Sequence, residues 1–176
     1  GDNELGAEIM EADLEEVQQK VGNRITTQAE SIILTTGLGG GTGSGGTPVL
    51  ARRLKEIYEI PVYMLAILPS TEESNLAQVN AGRSLKTITD TVDATLVIDN
   101  DAWKSTGESL TEGYERINKQ VAKRIGLLLA AGEVSDGIAE SVVDSSEVIN
   151  TLRTGGIAAI GYNQVQAAES TEENIN

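Results

Sequence analysis

Apolar residues recur at Leu5, Ile9, Leu14, Val17 and Val21, steps of four, five, three and four that predict an amphipathic helix over 5–21. Glu8, Glu11, Asp13, Glu15 and Glu16 fall on its polar side. The pattern then shortens. Residues 31–36 form a β-rich run, and 60–68 is almost continuously apolar and closed by Pro69, which suits a strand covered on both faces. Residues 95–98 make a third strand, ended by Asp99, Asn100 and Asp101. Helical stretches separate them. One opens at Pro48, a good first-turn position for proline, and runs to about Tyr58. Another covers 75–90, with Leu76, Val79, Leu85 and Ile88 as its apolar positions.

A long helix follows. Tyr114, Ile117, Val121, Ile125 and Leu128 step by three, four, four and three, and Leu127, Leu129 and the next alanines widen the stripe. The width predicts a helix buried on much of its surface, stopped near Gly132. A shorter helix is expected from Asp144 to about Leu152, then a turn at Gly155 and Gly156, an apolar run at 157–160 and an acid-rich tail over 167–176. Strands alternating with helices predict an α/β fold, a mostly parallel sheet flanked by helices.

The composition narrows the chemistry. The chain has 176 residues, enough for one domain with a sizeable core. It holds no Cys and no His, which excludes a thiol nucleophile, a disulfide framework, a Cys/His zinc site and any mechanism with histidine as general base. Its 13 basic and 27 acidic residues leave a net charge of -14, a surface that repels phosphate backbones and makes DNA or RNA a poor partner. Such acidity accords with a proteome adapted to high salt or with an ordinary acidic cytoplasmic protein. No apolar run approaches the ~20 residues that span a bilayer.

Seven of the ten residues from Gly37 to Gly46 are glycine, and the run lies between a strand and a helix. Amides freed at a helix start bind anions, the helix dipole adds to this, and glycines let a phosphate touch the backbone. Thr42 and Ser44 offer hydroxyls to the same oxygens. A flexible linker is the plainer reading, but linkers rarely join a strand to a proline-started helix. No lysine follows the glycines, so this is not a Walker A loop. The first acids beyond it, Glu56 and Glu59, come too early for a dinucleotide fold's ribose carboxylate.

Gly39-Gly40-Gly41-Thr42-Gly43-Ser44-Gly45 resembles the glycine signature of the tubulin/FtsZ superfamily of GTPases. Further matches follow in order: Val92-Asp93, then Leu96 to Asn100, then Tyr114 and Asn118 on the long helix. The mixture is most similar to the archaeal tubulin-like CetZ proteins, many of them from salt-loving archaea. The resemblance implies a Rossmann-like GTPase domain, bound GTP or GDP, and Mg²⁺ held mainly by phosphates and water. Gly1 to Gly6 resembles the family's third nucleotide loop. This implies that the chain is a central piece of a longer protein, with 1–131 in the GTP-binding domain and 132–176 holding the synergy loop and the start of a C-terminal domain.

The family's roles carry over position by position. Asp2 and Asn3 would lie beside the terminal phosphate, and Gly40, Gly41, Thr42, Gly43, Ser44 and Gly45 would hold the α- and β-phosphates. Glu73 would contact the ribose, while the FtsZ-type arginine four positions later is Ala77 here. Asn100 and Asn118 would read the guanine edge, and Tyr114 would stack on the base. Each has a plainer reading: Tyr114 as the first core residue of its stripe, Asn100 as a turn or cap, Glu73 as a solvated acid. Trp103 reads as packing.

In the family the synergy loop reaches the GTP of the next subunit in a head-to-tail filament. The matching acids are Asp144 and Glu147, Glu147 to orient the attacking water and Asp144 to help position it and any cation. The FtsZ asparagine just before them falls near Val142 or Val143. The same pair could equally cap a surface helix, Asp144 at its N-cap and Glu147 in a capping box. The resemblance implies self-association into filaments, no membrane insertion, a cytoplasmic location and a part in cell shape. A division GTPase of FtsZ type, a regulatory GTPase without assembly and a non-hydrolysing scaffold are the alternatives.

Overall fold

The computed structural model describes residues 1–103, 107, 109–130 and 145–161. In chain order these form α1 (Asn3–Gly22), β1 (Ile32–Gly37), α2 (Thr47–Ile57), β2 (Val62–Leu68), α3 (Asn75–Thr91), β3 (Ala94–Asp99), α4 (Leu110–Ala130), α5 (Ser145–Leu152) and β4 (Ile157–Ala158). The sheet order is β1-β2-β3-β4 and every pairing is parallel. Ile33 stands opposite Tyr63, and Tyr63 opposite Ala94. The expected α/β architecture is present.

Alternation along the strands builds two cores. Val62, Met64 and Ala66 of β2 face α2 and α3, meeting Ala51, Leu54, Ala81 and Ile88. Leu65 of β2, with Leu96 and Ile98 of β3, faces the other way and meets Ile117 and Val121 of α4. Leu152 and Ala158 pack beside this second cluster. The sheet therefore lies between two helical layers, and β2, buried along five consecutive residues, is its centre.

Three helices depart from their sequence patterns. α1 buries none of its residues, and Leu5 and Ile9 stand about half exposed. Its start is fixed instead by Asp2, whose Oδ1 accepts from Glu4 N at 3.0 Å and Leu5 N at 3.3 Å. A cap of this kind contributes ~1 kcal/mol. α3 turns Ala77, Asn80, Ala81, Ser84 and Ile88 inward, while Leu76 and Val79 are exposed. Small residues bring the helix axis close to the sheet, and the apolar count alone mistook the phase. On α4 only one stripe meets the sheet, so Leu127 and Leu129 stay half exposed rather than buried. The expected stop at Gly132, the start of the shorter helix at Asp144 and the tail over 167–176 lie outside the described residues. Of the apolar run at 157–160, only Ile157 and Ala158 join the sheet.

Candidate functional site

Parallel strands bring the C-terminal ends of β1, β2 and β3 to one edge, where open α/β sheets hold their ligands. The glycine run leaves β1, residues 69–74 leave β2, and Asn100 and Asp101 leave β3. Neighbouring strands lie about 4.8 Å apart, so a ligand reaching from the first ending to the third would cross about 10 Å.

The glycine run is mostly helix. Gly41 already has φ -66° and ψ -48°, and Thr42–Gly46 forms a π-helical turn that passes into α2 without a break. Pro48 thus sits inside a continuous helix instead of opening one, and the loop proper is confined to 38–40. The first amide in the run bonded to a carbonyl four residues back is that of Ser44, to Gly40 O at 3.1 Å. The amides before it are the orphan donors of a helix start, the kind of position that favours an anion.

The glycines are also required by contact. A Cβ on Gly45 would stand 1.9 Å from Asn3 O, and one on Gly41 2.5 Å from Asp2 O. The first turn of α1 therefore lies backbone to backbone against the run, which places Asp2 and Asn3 beside it. Thr42 is exposed. Ser44 is buried, and its hydroxyl donates to Gly40 O, so its side chain is committed within the run.

Glu73 closes the next side. Its Oε1 accepts from Ser70 N at 2.9 Å, and a Cβ on Gly39 would stand 3.4 Å from its Oε2. The same Cβ would stand 3.3 Å from Ala77 Cβ. Gly39 and Ala77 are therefore close neighbours. Asn100 is 8% exposed at the end of β3. Tyr114 and Asn118 lie one turn apart in the first half of α4, the end that follows β3. Tyr114 is 39% exposed and Asn118 is exposed, so Tyr114 is not the core residue of its stripe; Ile117 and Val121 are.

The helix carrying Glu147 stands elsewhere. Tyr63, the second residue of β2, donates from Oη to Ile149 O at 3.4 Å, and Val148 and Ile149 share a cavity with Glu30, Ser31 and Tyr63. α5 therefore packs at the N-terminal edge of the sheet. Six-residue β1 separates that edge from the glycine run, a length of about 17 Å at ~3.3 Å per residue. Glu147 is exposed in the first turn of α5. Asp144 lies outside the described residues.

Three residues of this edge carry no motif. Asn80 is 1% exposed, and its Nδ2 donates to Gly1 O at 2.9 Å and to Gly39 O at 3.4 Å. Ser70 Oγ donates to Asp101 Oδ1 at 2.7 Å, and Thr71 N donates to Asp101 Oδ2 at 2.6 Å. For Asn80 a signal existed, a polar residue in phase with Ala77, Ala81 and Ser84. For Ser70 and Asp101 the contact spans 31 positions and only folding joins them.

Comparison with known proteins gives two family matches. Residues 1–108 match the GTPase domain of the tubulin/FtsZ family, and 107–175 match the C-terminal domain of tubulin-like CetZ. The tubulin-like protein CetZ2 of Haloferax volcanii is 59% identical over all of this chain, which covers 49% of that protein. Two solved structures are similar: a GTPγS-bound protofilament of CetZ2 from Haloferax volcanii (TM-score 0.82, 58% identity, 89% of this chain and 45% of that one), and a GDP-bound monomer of CetZ1 from the same organism (TM-score 0.79, 49% identity, 89% and 44%). The chain spans about half the length of the curated relatives it matches.

Proposed function

The chain belongs to the tubulin/FtsZ family, and from that premise we propose that it serves a GTP-binding cytoskeletal protein that assembles head to tail. Guanine nucleotide lies along the C-terminal edge. Gly40 to Gly45 and the backbone of Asp2 and Asn3 hold its phosphates, Glu73 its ribose, and Asn100, Asn118 and Tyr114 its base. The amide-lined helix start fits a phosphate chain, and the glycine contacts fit a backbone approached closely from one side. Among the described residues no group of three or more His, Cys, Asp or Glu could hold a metal ion. Mg²⁺ bound mainly through phosphate oxygens and water belongs to the same reading, where it would offset charge on the phosphates.

The observation that carries this reading is the separation between the glycine run and α5. A subunit with its phosphate site at one edge and Glu147 at the other cannot finish hydrolysis alone. Stacked head to tail, Glu147 meets the neighbour's γ-phosphate and orients the attacking water, and Asp144 helps to position it; water attacks in line and GDP and phosphate leave. A heterologous interface that does not close gives a filament. The GTPγS-bound protofilament of CetZ2 supports this arrangement. A cytoplasmic location and a part in cell shape belong to the same reading; no helix among the described residues is long and apolar enough to cross a membrane.

Phosphate release measured against protein concentration tests it. The rate per subunit should rise steeply above a threshold at which light scattering also appears. A flat rate at all concentrations would point to a GTPase that works without assembly.

A further inference from the structure

We propose that Asn80 is a positioning residue of the phosphate site: its side-chain amide holds two peptide units so that the N–H groups of Asp2 and Gly40 face the anion. The inference rests on the nucleotide reading above. Asn80 belongs to the inward face of α3 and is 1% exposed. A side-chain amide buried this deeply is costly unless its donors are used. Its Nδ2 uses them on two carbonyls from segments far apart in sequence, Gly1 O at 2.9 Å and Gly39 O at 3.4 Å.

The consequence follows from peptide geometry. The described chain has no cis peptide bond. In a planar trans unit the carbonyl and the following N–H point in opposite directions. With Gly1 O drawn toward α3, Asp2 N–H points away from α3. With Gly39 O drawn the same way, Gly40 N–H points away too. The two segments meet there: a Cβ on Gly1 would stand 2.3 Å from Gly41 N, and a Cβ on Gly41 would stand 3.0 Å from Asp2 N. Neither N–H bonds to another described backbone group, and the space beside Gly40 is open.

A peptide beside an anion has two opposite effects. Its N–H attracts and its carbonyl repels, and rotation of the unit exchanges one for the other. Glycine-rich backbone rotates easily. A donor that holds both carbonyls back selects the attractive arrangement before the ligand arrives, which is preorganisation. Glycine at 39–41 supplies the close approach, and Asn80 supplies the orientation.

Calorimetric affinities of the full chain for GTP, GDP and guanosine, with backbone amide resonances followed as GDP is added, test this. Asn80→Leu and Asn80→Asp both remove the N–H donors while keeping the side chain's approximate shape. Both should weaken GTP and GDP about tenfold or more, leave guanosine within twofold, and abolish shifts of the Asp2 and Gly40 amides. Equal weakening of all three ligands would assign Asn80 to folding alone and overturn the proposal, as would unchanged GDP affinity. Should neither variant fold, the unmodified chain decides, since Asp2 and Gly40 amides that do not shift with GDP overturn it. Unmodified chain that binds guanosine as tightly as GDP would instead remove the phosphate reading itself.

Discussion

Ser70 Oγ donates to Asp101 Oδ1 at 2.7 Å, so the segment leaving β2 is fastened to the residue that follows Asn100 at the end of β3. The second carboxylate oxygen of Asp101 takes Thr71 N at 2.6 Å. Ser70 N in turn donates to Glu73 Oε1 at 2.9 Å, so the orientation of Glu73 depends on a side chain it does not touch. Asp101→Ala should cost ~1–3 kcal/mol, the usual loss when charge-assisted hydrogen bonds are broken. It should also weaken GTP more than a nucleotide lacking the ribose hydroxyls. Urea denaturation and paired binding titrations check both; equal weakening of the two nucleotides would break the link to Glu73.

The glycines divide into two groups by what a methyl would meet. On Gly45 it would stand 1.9 Å from the backbone oxygen of Asn3, where nothing flexible can yield. On Gly82 of α3 and Gly126 of α4 it meets nothing within 4 Å. Gly45→Ala should destabilise by ~2–3 kcal/mol through forced separation of α1 from the glycine run. Gly82→Ala and Gly126→Ala should each stabilise by ~0.5–1 kcal/mol, because alanine is the better helix former. Thermal melts of the three variants, run side by side, would expose an error in either group.

Burial pushes the Tyr63 phenol above its ordinary value, with the charge of Asp93 adding to the effect and Arg153 opposing it. The folded chain therefore holds this proton more tightly than the unfolded chain does. Its contribution is complete below the unfolded pKa of about 10 and is lost as the pH rises from there toward the folded pKa. Tyr63→Phe should flatten the alkaline decline while changing stability at neutral pH by less than ~1 kcal/mol, since the bond to Ile149 O is long at 3.4 Å. Denaturation midpoints at pH 9, 10 and 11 measure the difference; an unchanged decline would mean that other groups govern it.

Because Glu147 and the glycine run occupy opposite edges, two inactive subunits should complement each other. Glu147→Gln keeps an intact nucleotide site, and Asn118→Ala keeps an intact Glu147. Each alone should lose GTP turnover at least tenfold. Mixed in equal amounts they should recover a substantial fraction, because one kind of junction joins a sound nucleotide site to a sound Glu147. A mixture no more active than its parts would place catalysis within one subunit.

The strands were legible because their signal is local. Runs at 31–36, 60–68 and 95–98 match β1, β2 and β3 to within two residues. The glycine signature gave the candidate site for the same reason, since its chemistry is written in adjacent positions. What the sequence hid was phase and approach. Leu76 and Val79 drew the eye on α3, yet Ala77, Ala81 and Ser84 face the sheet because small side chains permit a closer axis. Asp2 read as a phosphate neighbour, and it also caps α1. Glycines at 41–46 read as a loop, yet they are helical and α1 lies against them. Asn80 and Asp101 act through contacts 79 and 31 positions away. No local pattern encodes such pairs.

That helical start has a cost with a wider consequence. Four of the six residues from Gly41 to Gly46 are glycine, each about 1 kcal/mol less favourable in a helix than alanine. The turn cannot keep its shape unaided; α1 on one side and α3 on the other hold it. Under the proposed function, nucleotide binding at this turn and the attitude of α1 are then thermodynamically linked. A nucleotide that stiffens the turn also restrains α1, and by reciprocity any force that tilts α1, whose Leu5 and Ile9 are open to contact, changes nucleotide affinity by the same factor.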